Sequence, residues 1–300
     1  MAELDMLRLD VFTEDLYGGN PAWVVFDADG LDEVQMQRIA LELGPPQTAF
    51  VLRSKKADVR LRYFSPVSED PISGHATVGA LWALANREAF GMSHVGRHRL
   101  ETSLGILPFS IDEDRDGRMR VWMTQRRPLF AKVEEFKEVA SALGIGAESL
   151  FREEFPISRS STGIPSLLVP VRSIEVLRKI EPRKDEVTEL AKELDVGAVF
   201  VYTWGVFEPG STVHARCFGP PPSFPEDIAS GMPAGALGAF LVEHDLIPRE
   251  KNESIVVEQG HILGRPSKIH VRVEKKGATI RKVEVGGYVT VSARGRLVVP

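Results

Sequence analysis

The sequence predicts an α+β fold of two similar domains, each a mixed or antiparallel sheet wrapped around one central apolar helix. The main observation is that four elements occur twice, in the same order, along the 300-residue chain. They are a Gly-x-Pro turn with its strand, an apolar strand, an Arg-x-Phe-x-Pro segment and a Ser-Gly pair that opens a helix of small residues. The elements begin at Gly19, Ala49, Arg62 and Ser73, and again at Gly163, Ala198, Arg216 and Ser230.

Each element alone is common, because Gly and Pro occur in many turns and short apolar runs form many buried strands. Four of them in one order indicate an internal duplication, and a ligand site commonly lies in the seam between two domains. We expect a first domain at residues 1–125, to which C-terminal strands can return, a second domain at 126–290 and a tail at 291–300.

Composition excludes several classes of protein. The length fits about two domains of roughly 150 residues, and 43% apolar with 26% charged residues is typical of a globular protein. A net charge of −5 without a basic stripe disfavours a nucleic-acid partner. One cysteine, Cys217, excludes an intramolecular disulfide and a cysteine-based metal cluster. The N-terminus lacks a signal-peptide pattern, and no run of about 18 apolar residues is present to span a membrane. We expect a cytoplasmic protein.

The first half begins with strands and an amphipathic helix. Alternation predicts strands at 6–12 and 22–26, then at 48–53 and 58–65. Between them, residues 32–43 place Met36, Ile39 and Leu43 on one face, which predicts a helix. Gly44 and the following prolines end that helix.

Two segments are apolar or small on nearly every helical face, at 74–85 and 230–242. This pattern is typical of a helix buried inside a curved sheet. Shorter amphipathic helices are expected at 133–143 and 184–194, and the chain is rich in strands from Ile262 onward.

Several motifs resemble the PhzF-like proteins of the phenazine biosynthesis group, in the diaminopimelate epimerase-like superfamily. The resemblance covers residues 10 to about 290 and rests on Asp10-Val11-Phe12-Thr13, Gly18-Gly19-Asn20-Pro21-Ala22, Thr48-Ala49-Phe50-Val51, Ser73-Gly74-His75-Ala76-Thr77-Val78-Gly79, Pro225-Glu226-Asp227, Gly235-Ala236-Leu237, Glu258-Gln259-Gly260 and Gly264-Arg265-Pro266-Ser267. It implies two similar domains, an active site in the cleft between them, no cofactor or metal, and commonly a homodimer. The best-known activity it implies is isomerisation of a dihydro-hydroxyanthranilate by moving a proton along a conjugated system.

Moving a proton between carbons needs a group that accepts it and returns it. The resemblance implies that proton transfer is carried out by a glutamate directly before Thr-Ala-Phe. The His of Gly-His and the Asp of Glu-Asp-Pro are implied to assist it. The matching residues are Gln47, His75 and Asp227. A glutamine does not titrate, so we expect Gln47 to orient the substrate while His75 and Asp227 handle protons. His75, Asp227 or a nearby carboxylate, Glu69 or Asp70, must then act as the base.

A small carboxylate is the expected ligand, because the amino ends of the two central helices offer backbone N–H groups and positive dipole ends. The expected substrate-binding residues are Asn20, Ser73, Gly74, Ser230, Gly231 and Met232. Met232 and Pro233 stand where the family has small polar residues, which indicates an altered specificity.

Structural readings of these residues also exist. An isolated His is more often structural than catalytic, although the Gly-His motif reverses those odds here. Taken alone, Asp227 near Ser230 is predicted to cap a helix. Cys217 is predicted to be a buried apolar residue. Two-base racemisation is disfavoured, because Ser73 and Ser230 stand where the superfamily's racemases carry cysteines, and a serine hydroxyl has too high a pKa.

The leading hypothesis is a cofactor-independent isomerase acting on a small cyclic or unsaturated carboxylate. Two other functions stay open. The alternatives are a catalytically silent family member that binds small carboxylates without a base, and a structural dimer without a ligand. The structural dimer is the weakest hypothesis, since folding alone does not require Gly74-His75 and Glu226-Asp227 together. The variant Gln47→Glu separates the isomerase from the silent binding protein. A gain of isomerase activity indicates an enzyme that Gln47 has inactivated, whereas loss of an existing activity indicates that Gln47 serves its own chemistry.

Overall fold

The computed structural model describes residues 2–92, 95–151, 154–219 and 226–299. The chain divides into two compact units, unit 1 with Met1–Thr124 and Gly286–Pro300, and unit 2 with Gln125–Val285. Residues 291–300 were expected to form a tail. In the structure most of them belong to a long strand of unit 1, where they cover the edge of the first strand.

Before the chain enters unit 2, the described residues of unit 1 form eight strands and two α-helices. Their bounds are β1 (Ala2–Val11), β2 (Asn20–Val25), α1 (Glu33–Leu43), β3 (Thr48–Leu52), β4 (Val59–Phe64), β5 (Glu69–Asp70), α2 (Gly74–Asn86), β6 (Gly96–Thr102), β7 (Gly105–Glu113) and β8 (Met119–Thr124).

The part of unit 2 that the structure describes follows with eight strands and four α-helices, and the last of these strands ends two residues into unit 1. Their bounds are β9 (Leu129–Lys132), α3 (Phe136–Ala142), β10 (Ser158–Ser161), β11 (Pro165–Pro170), α4 (Ile174–Arg178), α5 (Lys184–Glu193), β12 (Ala198–Thr203), β13 (Val213–Phe218), α6 (Gly231–Glu243), β14 (Ile255–Gln259), β15 (Ser267–Lys276) and β16 (Thr279–Gly287). The chain then returns to unit 1 with β17 (Val289–Val299), which pairs antiparallel with β1.

The strand pairings of the two units follow the same pattern. In unit 1, β2 is parallel to β3, β3 antiparallel to β4, β4 parallel to β6, and β6 antiparallel to β7. In unit 2, β11 is parallel to β12, β12 antiparallel to β13, β13 parallel to β14, and β14 antiparallel to β15. These pairings reproduce the order of the repeated sequence elements, and they confirm the predicted α+β class with a mixed sheet in each half.

Each unit contains one apolar helix that is covered almost all round. In α2, every residue from Ala76 to Leu81 is buried, and the helix packs on β1, β2, β3, β8 and β17. In α6, every residue from Pro233 to Val242 is buried, and the helix packs on β10, β11 and β15. Both helices lie where the small-residue pattern predicts them. No helix in the described ranges is long and apolar enough to cross a membrane.

The surface helices follow local sequence signals, with one exception. The carboxylate of Asp32 accepts from the N–H of Gln35, whose side chain bonds the N–H of Asp32, and this capping box starts α1. By contrast α3 begins at Phe136 rather than at 133 as predicted. The N–H of Val133 donates to the carbonyl of Ile157 at 3.0 Å, so this residue continues the strand pairing of β9 instead of entering the helix.

Replacing Gly19 should test the turn that connects β1 to β2. Gly19 has φ of +54°, and a Cβ atom at this position would collide with the carbonyl oxygen of Val11. We expect Gly19→Ala to lower the free energy of unfolding by about 1–3 kcal/mol, the usual cost of such backbone strain. Urea denaturation measures the loss. Gly30→Ala, which introduces no contact within 4 Å, is the control, and an equal loss in both variants would contradict the argument.

Candidate active site

In unit 1, Gln47 connects two of the residues around the start of α2. Its Nε2 donates to Oδ2 of Asp70 at 2.7 Å, and its Oε1 accepts a short hydrogen bond from Oγ of Ser73. Gln47 and Asp70 are partly buried, and Ser73 is buried. The amide therefore holds a carboxylate and the helix N-cap in one hydrogen-bonded chain.

The strand order of unit 1 assembles this chain. Gln47 directly precedes β3, and its carbonyl accepts from the N–H of Trp23 in β2 at 2.9 Å. Asp70 lies on β5 opposite Tyr63 of β4, while Tyr63 pairs on its other side with Ala49 of β3. Because β4 separates β3 from β5, folding brings together two side chains that lie 23 residues apart in sequence.

The two carboxylates that the sequence offered as alternative bases have different surroundings. Burial raises the pKa of Asp70 above the ordinary value, and the charge of Glu69 adds to the rise, while the hydrogen bond from Gln47 opposes it. Glu69 instead forms an ion pair with Arg62, at 2.6 Å from Nη2 to Oε2, and Arg62 also reaches Glu33. Asp70 is therefore the carboxylate with an increased affinity for a proton.

The first turn of α2 presents the remaining unit 1 candidates. Oγ of Ser73 caps the helix by accepting from the N–H of Ala76 at 3.4 Å. Gly74 and His75 follow, and both are partly exposed. Asn20 is buried at the start of β2, opposite Val11 of β1.

In unit 2, Asp227 and Ser230 are joined by Gln259. Oγ of Ser230 donates to Oδ2 of Asp227 at 2.5 Å, and the N–H of Ser230 donates to Oε1 of Gln259 at 3.0 Å. Nε2 of Gln259 donates to the carbonyl of Asp227 at 2.7 Å. Sequence reasoning did not select Gln259 as a site residue, although the Glu258-Gln259-Gly260 motif was the signal that could have found it.

Asp227 does not act as the helix cap that its sequence position also suggested. The N-cap of α6 is Ser230, whose hydroxyl makes no hydrogen bond to the helix backbone, because it bonds to Asp227 instead. The Asp227 carboxylate thus accepts a hydrogen bond from the Ser230 side chain and lies near the N-terminus of α6.

A buried ion pair supports the segment that carries Asp227. Arg216 binds Glu226 through two nitrogens at 3.0 and 2.7 Å, and the side chains are only 8% and 5% exposed. Nη1 of Arg216 also donates to the carbonyls of Leu177 and Ile180. Next to this pair, the N–H of Asp227 donates to the carbonyl of Cys217 at 3.0 Å. Pro220 and Pro225 of the two motifs lie outside the described residues.

The first turn of α6 differs from that of α2. Gly231 is buried and its carbonyl accepts from Nε2 of Gln125 at 3.2 Å, whereas Met232 is partly exposed. Pro233 has no N–H, so this turn offers one donor fewer to an anion. Burial raises the pKa of the Cys217 thiol, and this disfavours a thiolate base, as the sequence indicated.

Comparison with known proteins places these features in context. A profile of the family described as phenazine biosynthesis-like protein, PhzC-PhzF, matches residues 9–295. The uncharacterized isomerase YfhB of Bacillus subtilis (strain 168) is 35% identical over 301 residues, which cover 99% of this chain and 97% of that protein. The trans-2,3-dihydro-3-hydroxyanthranilate isomerase of Pseudomonas aeruginosa is 32% identical over 293 residues, which cover 96% of this chain and 97% of that protein.

A solved structure shows the same fold. The PhzF-family phenazine biosynthesis protein of Bacillus anthracis superposes with a TM-score of 0.89 at 28% identity, and the match covers 100% of both chains.

Removing Arg216 should destabilise unit 2 by leaving Glu226 buried and unpaired. We expect Arg216→Leu to lower the free energy of unfolding by about 3–5 kcal/mol, the usual cost of breaking a buried pair from one side. Arg53→Leu is the control, because Arg53 is 82% exposed in its pair with Asp29 and should lose less than about 1 kcal/mol. Urea titrations of both variants measure the difference, and similar losses would show that the buried pair does not stabilise the segment.

Proposed function

Since the chain belongs to the phenazine biosynthesis-like PhzC-PhzF family, we propose that it is a cofactor-independent isomerase that moves a proton within a small cyclic or unsaturated carboxylate. Membership confirms the resemblance seen in the sequence, and the named relatives are isomerases. The observation that carries the proposed mechanism is the hydrogen bond between Gln47 and Asp70. It holds a carboxylate of raised pKa beside the position where the resemblance expects a glutamate.

Asp70 is the proposed base. Its ionised carboxylate takes a proton from a substrate carbon, and the electron pair of the broken C–H bond joins the conjugated system. The proton then returns to another carbon, so the reaction needs no oxidant or reductant. A raised pKa suits this task, because a base is most effective when its pKa approaches the working pH. Gln47 occupies Oδ2, and the proton is accepted at Oδ1.

Gln47 is a positioning residue in this proposal. Oγ of Ser73 accepts from the N–H of Ala76, so its own proton is directed to Oε1 of Gln47. This assignment turns the amide nitrogen toward Asp70, where it stabilises the ionised form. A glutamine thus keeps the base charged and oriented without titrating itself.

The start of α2 is proposed to bind the substrate carboxylate. The positive end of the helix dipole lies at Gly74 and His75, and anions bind well at such positions. We assign proton exchange with the ligand to His75, which is partly exposed in the first turn of α2. Asn20 and Ser73 complete the polar residues that we assign to substrate binding in unit 1.

Unit 2 is proposed to contribute Asp227 to proton handling and the first turn of α6 to specificity. The hydroxyl of Ser230 fixes the orientation of the Asp227 carboxylate. Met232 follows Gly231 in this turn, and its thioether side chain stands where the family resemblance predicts a small polar residue. The preferred ligand should therefore carry an apolar portion in addition to its carboxylate.

A silent carboxylate-binding protein is the second candidate. It is favoured by Gln47 itself, because the residue at the position of the family glutamate does not ionise. We also propose a homodimer, which the resemblance implies. We propose a cytoplasmic location, which was expected from the single cysteine and from the lack of a signal-peptide pattern and of a membrane-spanning run.

Proton exchange tests the role of Asp70. The purified protein is screened by thermal shift against aromatic and dihydroaromatic carboxylates, including trans-2,3-dihydro-3-hydroxyanthranilate, and each binder is followed by NMR in heavy water. We expect exchange at a substrate carbon, and a loss of about 10²–10⁴-fold in Asp70→Asn. Glu69→Gln is the matched control and should keep its exchange rate within a few fold.

The melting temperature shows whether the Asp70 variant is folded. Because the folded state raises the pKa of Asp70, the stability that this group contributes is complete below its unfolded pKa and is lost as the pH rises through the folded pKa. Asp70→Asn cannot ionise, so it should melt above the parent at neutral pH. Exchange that survives in Asp70→Asn but disappears in His75→Ala or Asp227→Asn would assign the base elsewhere. Binding without exchange would support the silent alternative.

The pH profile tests the role of Gln47. Its hydrogen bond lowers the pKa of Asp70, so Gln47→Leu should move the acid limb of the exchange rate to higher pH and change the plateau rate much less. An unshifted limb would show that Gln47 does not act through Asp70. Gln47→Glu is the companion variant. It places two carboxylates at hydrogen-bond distance, where they share a proton, and a gain of activity would mean that the glutamine disarms the site.

A further inference from the structure

A second group of polar side chains lies in unit 2, around Glu258. Glu258 precedes Gln259 on β14, so the two side chains point to opposite faces of the sheet. His214 of β13 is the register partner of Glu258, and His261 follows in the turn after β14. We call His214, Glu258 and His261 the histidine cluster. The proposed isomerase mechanism uses none of its residues.

The Glu258 carboxylate is held by several donors. Oε2 accepts from the N–H of Phe207 at 2.8 Å, and Oε1 accepts from the N–H of Glu208 at 2.8 Å. Oε2 also lies 3.0 Å from Nδ1 of His214. Since an ionised carboxylate only accepts hydrogen bonds, the His214 proton belongs on Nδ1. The lone pair of His214 is therefore on Nε2.

Three ring nitrogens of the cluster lack a hydrogen bond. Within the described ranges, Nε2 of His214 and both Nδ1 and Nε2 of His261 are buried atoms without a hydrogen-bond partner. The His214 side chain is 0% exposed. Buried polar atoms nearly always have a hydrogen-bond partner, so each exception needs a physical explanation. Their concentration in two neighbouring imidazoles, whose ring centroids are 5.1 Å apart, points to a bound cation.

We propose that His214 and His261 bind a divalent transition-metal ion of the Zn²⁺ class, with Glu258 as the carboxylate that orients His214. Imidazole nitrogens are preferred ligands of such ions. A metal-binding histidine usually donates its other N–H to a carboxylate, and this is the arrangement of His214 and Glu258.

The distances allow the ion to be held after a small adjustment. One donor atom from each of the three side chains lies within 4.8 Å of the others, whereas nitrogens about 2.1 Å from a tetrahedral Zn²⁺ are roughly 3.4 Å apart. The His261 ring stacks on Phe207, and its turn is bounded by Gly260 and Gly264 in the left-handed conformation. Binding therefore requires the His261 ring to rotate toward Nε2 of His214, and in the proposal water or Oε1 of Glu208 completes the coordination.

The ion has a route to the cluster. The side chain of His261 is 11% exposed and that of Glu208 is 42% exposed, so the approach is from the His261 side. Oε1 of Glu208 lies 3.5 Å from Nε2 of His261, while Oε2 of Glu208 pairs with Nζ of Lys268 at 2.5 Å, so Oε1 is the oxygen that faces the cluster. Bound there, the ion would join β13 to the turn that follows Gln259. It would stabilise unit 2 without taking part in proton transfer.

Metal titration tests the inference on the full chain without a polyhistidine tag, after removal of metals by a chelator. We expect one Zn²⁺ per chain by calorimetry, a higher melting temperature with Zn²⁺, and a ligand-field absorption spectrum on adding Co²⁺. His261→Ala should weaken Zn²⁺ binding by at least about tenfold. His261 is used because substitution of the fully buried His214 can unfold the protein.

Two control variants make the result specific. His244→Ala removes an exposed histidine outside the cluster and should bind Zn²⁺ like the parent. Asp70→Asn should also bind normally, so failure of the isomerase proposal leaves this test intact. No stoichiometric binding, or binding unchanged in His261→Ala, would overturn the site and leave His261 as a partner of Glu208 alone.

Discussion

The constraint on which the structure depends is the nearly complete burial of one apolar helix in each unit. Neither α2 nor α6 has a polar face, so neither can lie on a surface, and the sheet of each unit must cover its helix on several sides. The helix axis is then fixed, and with it the place where the polar Ser-Gly start of the helix reaches the edge of the core. The candidate catalytic residues lie at these starts because backbone N–H groups are available there and the rest of the helix is apolar.

The two copies use the same scaffold with different hydrogen bonds at that point. In unit 1, Ser73 caps its helix and turns its proton to Gln47, which leaves the amide nitrogen for Asp70. In unit 2, the hydroxyl of Ser230 turns to Asp227, and its N–H is taken by Gln259. A duplicated fold therefore contains two acidic groups with unlike surroundings. Such a difference lets duplicated halves take unequal parts in acid–base chemistry.

Much of the fold could be predicted from the sequence, because it depends on local patterns. The central helices were predicted from small and apolar residues on all faces, and α1 from its periodicity and its stop at Gly44. The contact of Gln47 with Asp70 could not be predicted, since it depends on β4 lying between β3 and β5. Likewise, the histidine cluster joins positions 214 and 258 through strand register, and no short motif records such a register. The roles of the site residues stay predictions until the variants are measured.

The pairing of β1 with β17 has a consequence for biosynthesis. Residues 2–11 lie beside residues 289–299, so β1, which is synthesised before unit 2, pairs with β17, which is synthesised after unit 2. All of unit 2 is synthesised in the meantime, as one continuous segment. Unit 2 can therefore fold while translation continues, whereas unit 1 must keep an edge of β1 unpaired until β17 is released. An exposed strand edge invites pairing with other chains, so we expect the nascent protein to be most prone to aggregation in this interval.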